Sequence, residues 1–304
     1  VYKNLNSEVL AISGRQSEII ELALTYGFRG IDIDMADLVK RCQRSSYENA
    51  SRFLASSKLK IGGFETPIDL DADDEAYAVK LAALNGVAEI AQRADARIAI
   101  LTIPTGTNRL PYPEYFEIIR KRINEVAEVF AKEEVRLALT FNAIPDLSEE
   151  KQFKFIRDVE GFLVLIKACN ANNLSIVFDS WNWHLGGGTE AQLDALGLDR
   201  VAAIRLADCN EGVDPAAATA DDCLLPSSTG VIDNVAYLKK FADEKMKLPV
   251  TAMGKPLNQT ATRDALVGLS QDALDKTFNE AGLPSLTRKP ETFVDQSYQR
   301  SYSS

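Results

Sequence analysis

The feature that most limits what this chain can fold into is an alternation along its length. Short runs rich in Ile, Val and Leu are each followed by a longer stretch with helical periodicity. Eight such pairs can be traced. The β-rich runs are residues 9–13 (VLAIS), 30–34 (GIDID), 59–65 (LKIGGFE), 97–103 (RIAILTI), 135–141 (VRLALTF), 174–179 (LSIVFD), 201–207 (VAAIRLA) and 249–253 (PVTAM). They show little strict in–out alternation, as expected of strands covered on both faces. Between them, residues 17–27 carry Ile19, Ile20, Leu22, Ala23 and Leu24, with Gly27 as a stop. Residues 117–134 set Ile119, Ile123, Val126, Ala127 and Phe130 on one face and their charges on the other. Asp233 is placed to cap a helix over 233–244, and Gly282 and Pro284 end a last helix over 262–281.

Strands alternating with helices imply βαβ units and a parallel sheet. Eight of them can close into a (β/α)8 TIM barrel or lie in an open, doubly wound sheet. The open sheet usually carries a Gly-rich phosphate loop after its first strand. Here the first run ends in Ser13-Gly14-Arg15-Gln16, with neither GxGxxG nor a P-loop pattern, which favours the closed barrel. No linker divides the 304 residues. The expected organisation is one barrel domain over 1–284 and a polar tail over 285–304, read as an extension packed on the barrel or as a contact in a homo-oligomer. The longest loop, 209–232, follows the seventh run. Loops in that position sit at the C-terminal face of a barrel, where active sites form.

The net charge of −10 disfavours a nucleic-acid or membrane-surface partner, which calls for clustered Lys and Arg. No apolar run approaches the length of a membrane span. Cys42, Cys169, Cys209 and Cys223 are scattered and contain no CxxC pair, so they read as reduced thiols in a cytoplasmic protein.

Several strings carry a family resemblance: LTYGFRGIDID (24–34), KLKIGGFETPIDL (58–70), AILTIPTGTNRLPYPEYFEIIRKRINEVAEVFAKEEVRLALTF (99–141), VFDSWNWHLGGGT (177–189) and STGVIDNVAYLKKFA (228–242). In their order and spacing the chain resembles the xylose-isomerase-like barrels, the sugar phosphate isomerases and epimerases. In that family, Glu, Asp, His and Glu from the ends of strands five to eight hold a divalent cation such as Mn²⁺ or Mg²⁺. Hard dications favour such oxygen and imidazole donors, and polarise the sugar carbonyl so that the glutamates can move a proton. Mapped by the resemblance, the strand-five position is Thr140, strand six keeps Asp179, strand seven has Arg205 and strand eight has Met253. The family's His three residues after the aspartate is Asn182. Asp208 matches a common acidic position, and an arginine often seen before the following turn is Cys223.

The resemblance therefore implies a barrel that has lost most of its metal site, with no cofactor expected and Asp179 as the only retained ligand. Arg205 could supply the missing positive charge and pair with Asp179, or be a structural ion pair. His184, the single histidine, is a candidate base or a hydrogen-bonded loop residue. Trp181 offers a face for a sugar ring, and Asn182, Glu65, Thr140, Asp208 and Met253 complete the candidate ligand-binding set. Trp183 could equally wall a pocket, and Gly186, Gly187 and Gly188 are a weak phosphate signal. Asp32 and Asp34, on one side of their strand by alternation, could join Asp208 in a relocated Mn²⁺ or Mg²⁺ site. The expected function is binding of a small sugar-like molecule without metal-dependent isomerisation. The alternative is an active sugar or keto-acid isomerase or epimerase with a rebuilt site, Asp179, Arg205 and His184 carrying the chemistry. A nucleic-acid enzyme built on clustered zinc is disfavoured by the single histidine and the acidic charge.

Overall fold

A computed structural model describes residues 1–148, 150–243, 246–258 and 262–285. Eight parallel strands close into a barrel: β1 (Tyr2–Leu5), β2 (Gly30–Asp32), β3 (Lys60–Glu65), β4 (Ile98–Thr102), β5 (Arg136–Thr140), β6 (Leu174–Asp179), β7 (Val201–Leu206) and β8 (Pro249–Ala252). Each strand pairs with its neighbours in sequence, and β8 returns to β1 with Lys3 opposite Val250. Around the barrel lie α1 (Gln16–Thr25), α2 (Met35–Arg44), α3 (Tyr47–Ser57), α4 (Asp74–Arg93), α5 (Tyr112–Ala131), α6 (Val159–Ala168), α7 (Ser180–Leu185), α8 (Glu190–Leu196), α9 (Asn234–Asp243) and α10 (Arg263–Glu280). The chain is thus a (β/α)8 TIM barrel. The expected tail beyond residue 285 lies outside the described residues.

Seven of the eight expected strands stand where periodicity placed them; the first does not. Residues 9–13 form no strand: Ala11 donates to the Glu8 carbonyl, Ile12 to that of Ser7, and Ala11 takes a φ of 52°. This apolar run is a turn, and Arg15 in SGRQ precedes α1 as its N-cap rather than ending a strand. The true β1 was concealed by Lys3 and Asn4, polar residues that are almost wholly buried. Lys3 ion-pairs with Asp275 on α10, and Gln271 donates to the same carboxylate. Breaking one side of such a buried pair typically costs about 3–5 kcal/mol, so the pair fastens the last helix to the first strand where the barrel closes.

The strands divide a two-sided core. Outward, Phe64 packs on Phe130 of α5, and Phe178 on Trp183, Tyr237 and Phe241. Burying each such side chain contributes about 2 kcal/mol. Within the barrel, Ile100, Ala138, Val177, Ala202 and Ala203 form a separate apolar cluster. Above it, towards the C-terminal ends of the strands, the residues turn polar.

The loop after β7 is more ordered than its composition suggested. Asp208–Cys209 pairs antiparallel with Cys223–Leu224, and short 3₁₀ turns occupy Pro215–Ala217 and Ala220–Asp222. Its anchor is Asp208. One carboxylate oxygen accepts from the backbone N–H groups of Cys209 (2.9 Å) and Ile232 (3.0 Å), the other from Thr229 (2.8 Å) and Gly230 (2.7 Å). Among the described residues, no helix is long and apolar enough to cross a membrane.

Candidate functional site at the barrel mouth

The polar end of the barrel is built around Arg205. On β7 it stands level with Asp179 of β6 and Thr251 of β8. Its guanidinium does not pair with its neighbour Asp179, as the sequence suggested. It donates to Glu65 at the end of β3, at 2.8 Å. In the order of the closed barrel, β3 and β7 lie on opposite sides. The Arg205 side chain therefore spans the lumen.

Asp179 has other partners. Its carboxylate accepts from the backbone N–H of Asn182 and from the Asn182 amide, both at 3.0 Å, and so caps α7. The Asn182 oxygen in turn accepts from Ala143 N–H at 2.8 Å, tying the β5 loop to the β6 loop. Across the mouth, Asp32 accepts from the amides of Asn4 (2.8 Å) and Asn6 (2.6 Å) on the first strand and its extension. Asn4 also donates to Thr251 at 3.1 Å.

Burial pushes the carboxyls of Asp32, Glu65 and Asp179 above their ordinary values. Arg205 pulls each down, as do amide hydrogen bonds at the two aspartates, and burial outweighs them. Burial acts to lower the Arg205 guanidinium, but the surrounding Glu65, Asp179 and Asp32 outweigh it and hold the cation more firmly. One fixed positive charge thus sits among three reluctant carboxylates.

Above this layer opens a cavity of about 610 Å³, with Trp181, Asn182, Met253, Cys223, Asn142 and Lys255 among its lining residues. The turn that replaced the expected first strand supplies another wall through Val9, Leu10 and Ala11. A second cavity of about 350 Å³ meets it at Asn142, on the side of Thr102 and Asp71. A larger groove of about 690 Å³ lies among Arg120, Asn124, Arg136 and Asn173. It faces the opposite end of the barrel, which in this architecture serves stability rather than chemistry.

Of the candidate residues, Trp181, Asn182 and Met253 line the 610 Å³ cavity, whereas Arg205, Asp179 and Glu65 do not. Glu65 is in the mouth, its side chain one-third exposed (34%). Thr140 is buried at the end of β5, opposite Thr102. His184 sits on α7 but is not among the residues lining the 610 Å³ cavity. Burial lowers its pKa, partly opposed by the charge of Asp208. Asp208 itself spends both oxygens on its loop. Burial acts to raise its carboxyl, but the four N–H bonds outweigh that and hold it below the usual range. Trp183 is buried against Phe178, and a Cβ on Gly188 would collide with its indole. That collision accounts for Gly188 without a phosphate.

The fit to a divalent cation can be tested on the donors themselves. Thr140, Asp179, Arg205 and Met253 offer one carboxylate already doubly engaged, a hydroxyl, a thioether and a guanidinium, which does not suit a hard dication. The alternative trio does not assemble either. β2 ends at Asp32, so strand alternation does not reach Asp34, which caps α2 by accepting from Asp37 N–H at 2.8 Å. Among the described residues, no group of three or more His, Cys, Asp or Glu is placed to hold a metal ion.

Asn4, Asn6 and Asn142 were missed from the sequence. The signal was available in YKNLN, where Tyr2, Asn4 and Asn6 alternate as one face of a strand would.

A closed barrel with a polar, carboxylate-rich mouth defines the class to which this molecule is to be compared. The chain belongs to the xylose isomerase-like TIM barrel family, whose profile matches residues 20–265. Among solved structures it is similar to a xylose isomerase domain protein from Alicyclobacillus acidocaldarius, with 20% identity, a TM-score of 0.80, and coverage of 92% of this chain and 99% of that one. The IOLI protein solved with a binding zinc atom aligns with a TM-score of 0.76 at 14% identity, covering 92% and 99%. D-psicose 3-epimerase from Clostridium cellulolyticum H10, solved with D-tagatose, gives a TM-score of 0.69 at 12% identity, again covering 92% and 99%. At these identities the likeness is one of fold. No curated protein sequence matches the chain.

Proposed function

We propose that this chain is a metal-independent member of its family whose barrel mouth binds a small, polyhydroxylated, sugar-like molecule. The observation that carries this reading is the Arg205 guanidinium stretched across the lumen to Glu65, at the level of Asp179. It brings a permanent cation to the place where the family resemblance puts a dication. A guanidinium cannot be stripped of its proton at neutral pH and presents its donors in a fixed plane. Asn142 offers an acceptor to sugar hydroxyls in the cavity wall, and the part-exposed Glu65 offers another in the mouth. Met253, with the edge of the otherwise buried Trp181, gives the cavity an apolar lining against which a ring can lie. D-psicose 3-epimerase, solved with D-tagatose, supports the sugar-like ligand class by likeness of fold alone.

The deciding experiment is elemental analysis of the dialysed protein together with a calorimetric Mn²⁺ titration. The expected result is no stoichiometric metal and no binding heat. A tightly held ion in each chain would overturn metal independence. A thermal-shift panel of hexoses, pentoses and polyols tests the ligand class, and no shift with any of them would overturn that part.

A second reading is favoured by one observation, the upward-shifted and part-exposed Glu65 beside Arg205. In it, Arg205 polarises a substrate carbonyl and Glu65 moves the proton at the neighbouring carbon. Incorporation of solvent deuterium into a bound sugar, abolished by Glu65→Gln, is its signature.

A further inference from the structure

The loop after β7 places two of the four cysteines directly opposite one another. In the antiparallel pair Asp208–Cys209 with Cys223–Leu224, the residue facing Cys209 is Cys223. The adjacent pair, Asn210 and Asp222, carries a ladder hydrogen bond, with Asn210 N–H donating to the Asp222 carbonyl at 3.2 Å. Hydrogen-bonded and non-hydrogen-bonded pairs alternate along such a ladder, so Cys209 and Cys223 form a non-hydrogen-bonded pair. Their backbone groups are engaged elsewhere: Cys209 carbonyl accepts from Thr229 Oγ1 (2.6 Å), and Cys223 carbonyl from Lys255 N–H (3.0 Å). Non-hydrogen-bonded pairs bring Cα atoms to about 4.5 Å, within the range a disulfide spans. Residues directly opposite in a ladder put their side chains on the same face. Both thiols enter one buried cluster with Trp181, Ala207, Ala218 and Ile232.

We propose that Cys209 and Cys223 are a redox-sensitive modification site, forming a reversible disulfide that staples segment 210–222 across the barrel mouth. The two thiols lose two electrons and two protons to make one S–S bond. The oxidant is a low-molecular-weight disulfide such as oxidised glutathione. Cys223 is among the residues lining the 610 Å³ cavity and Cys209 is not, so the first attack is assigned to Cys223. Its thiolate attacks the glutathione disulfide and displaces one glutathione thiolate. The Cys209 thiolate then attacks the mixed disulfide and displaces the second. The two protons released from the cysteines end on the two glutathiones. Burial raises the pKa of both thiols, so exchange is slow at neutral pH and quickens as pH rises. The staple fixes the wall that carries Cys223, and with it the shape of the cavity that faces Trp181 and Met253.

The test uses the wild-type protein. It is incubated folded with oxidised glutathione at alkaline pH, denatured, alkylated with iodoacetamide and digested with trypsin. Both cysteines lie on one tryptic peptide, Leu206–Lys239. The expected product is that peptide, unalkylated and lighter by two hydrogens, while Cys42 and Cys169 are not joined to it. A thiol reductant restores the doubly alkylated form. The oxidised protein melts about 5 °C higher than the reduced one, as closing a short loop implies. In Cys209→Ser the reaction stops at a glutathione adduct on Cys223. A doubly alkylated peptide after treatment, or a stable glutathione adduct on Cys223 in the wild type, overturns the proposal.

Discussion

At the residue scale, the mouth turns on how Glu65 and Arg205 share their charges. Burial is the main reason that the Glu65 carboxyl is held above the ordinary value of 4.5. A carboxyl raised in this way binds its proton more tightly in the folded than in the unfolded chain. The stability it contributes is therefore complete below 4.5 and is lost as pH climbs through the folded value. Glu65→Gln removes that loss. The difference in melting temperature, variant minus wild type, should move in the variant's favour from pH 4.5 towards neutrality. A falling difference would show that pairing with Arg205 outweighs desolvation, and a flat one that the two cancel. The sequence made Arg205, Asp179 and Glu65 visible as candidates but assigned the wrong pair. Asp179 and Arg205 are neighbours in register, yet the aspartate is claimed by Asn182, only three residues on, through the local geometry of a helix cap. Which carboxylate a long guanidinium reaches is decided across the barrel, and no local pattern encodes it.

Among elements, seven strands were legible because strands covered on both faces are nearly continuous apolar runs. β1 was not, because its burial depends on partners remote in sequence: Asp275 for Lys3, Asp32 and Thr251 for Asn4. The apolar VLAIS that took its place is real burial of another kind, since Val9 and Leu10 wall the cavity. The loop after β7 shows how one side chain can organise a segment poor in large apolar residues. Asp208→Asn would set an amide N–H against two backbone N–H groups that now share one oxygen. The expected cost is about 3 kcal/mol, read by denaturant unfolding. Amide hydrogen exchange at Thr229, Gly230 and Ile232 should quicken with it. If those amides stayed protected, the loop would owe its order to its apolar contacts with Trp181 instead.

On the scale of the whole molecule, the family positions offer a way to run the proposed loss backwards. Thr140→Glu, Arg205→His and Met253→Glu, made together beside the retained Asp179, would rebuild the donor set implied by the family resemblance. The combined variant should bind Mn²⁺ in a calorimetric titration under conditions where the wild type gives no heat. If the folded variant, checked by circular dichroism, still ignored Mn²⁺, those positions would not be the ancestral ligand sites. Fold and family were readable from the strings themselves, since order and spacing survive substitution at single points. The positions at which the resemblance puts its ligands were readable for the same reason. How Arg205 is engaged depends on a side chain that crosses the barrel, and only the closed sheet reveals it.

The chain's two tryptophans fall on opposite duties within one short helix. Both indoles are buried, but Trp181 borders the mouth cavity, whereas Trp183 lies beneath Gly188 against Phe178. The molecule thereby carries its own optical gauge. A molecule settling in the mouth changes the surroundings of the first indole and leaves the second as a steady internal reference, so occupancy can be followed by intrinsic fluorescence with no label attached.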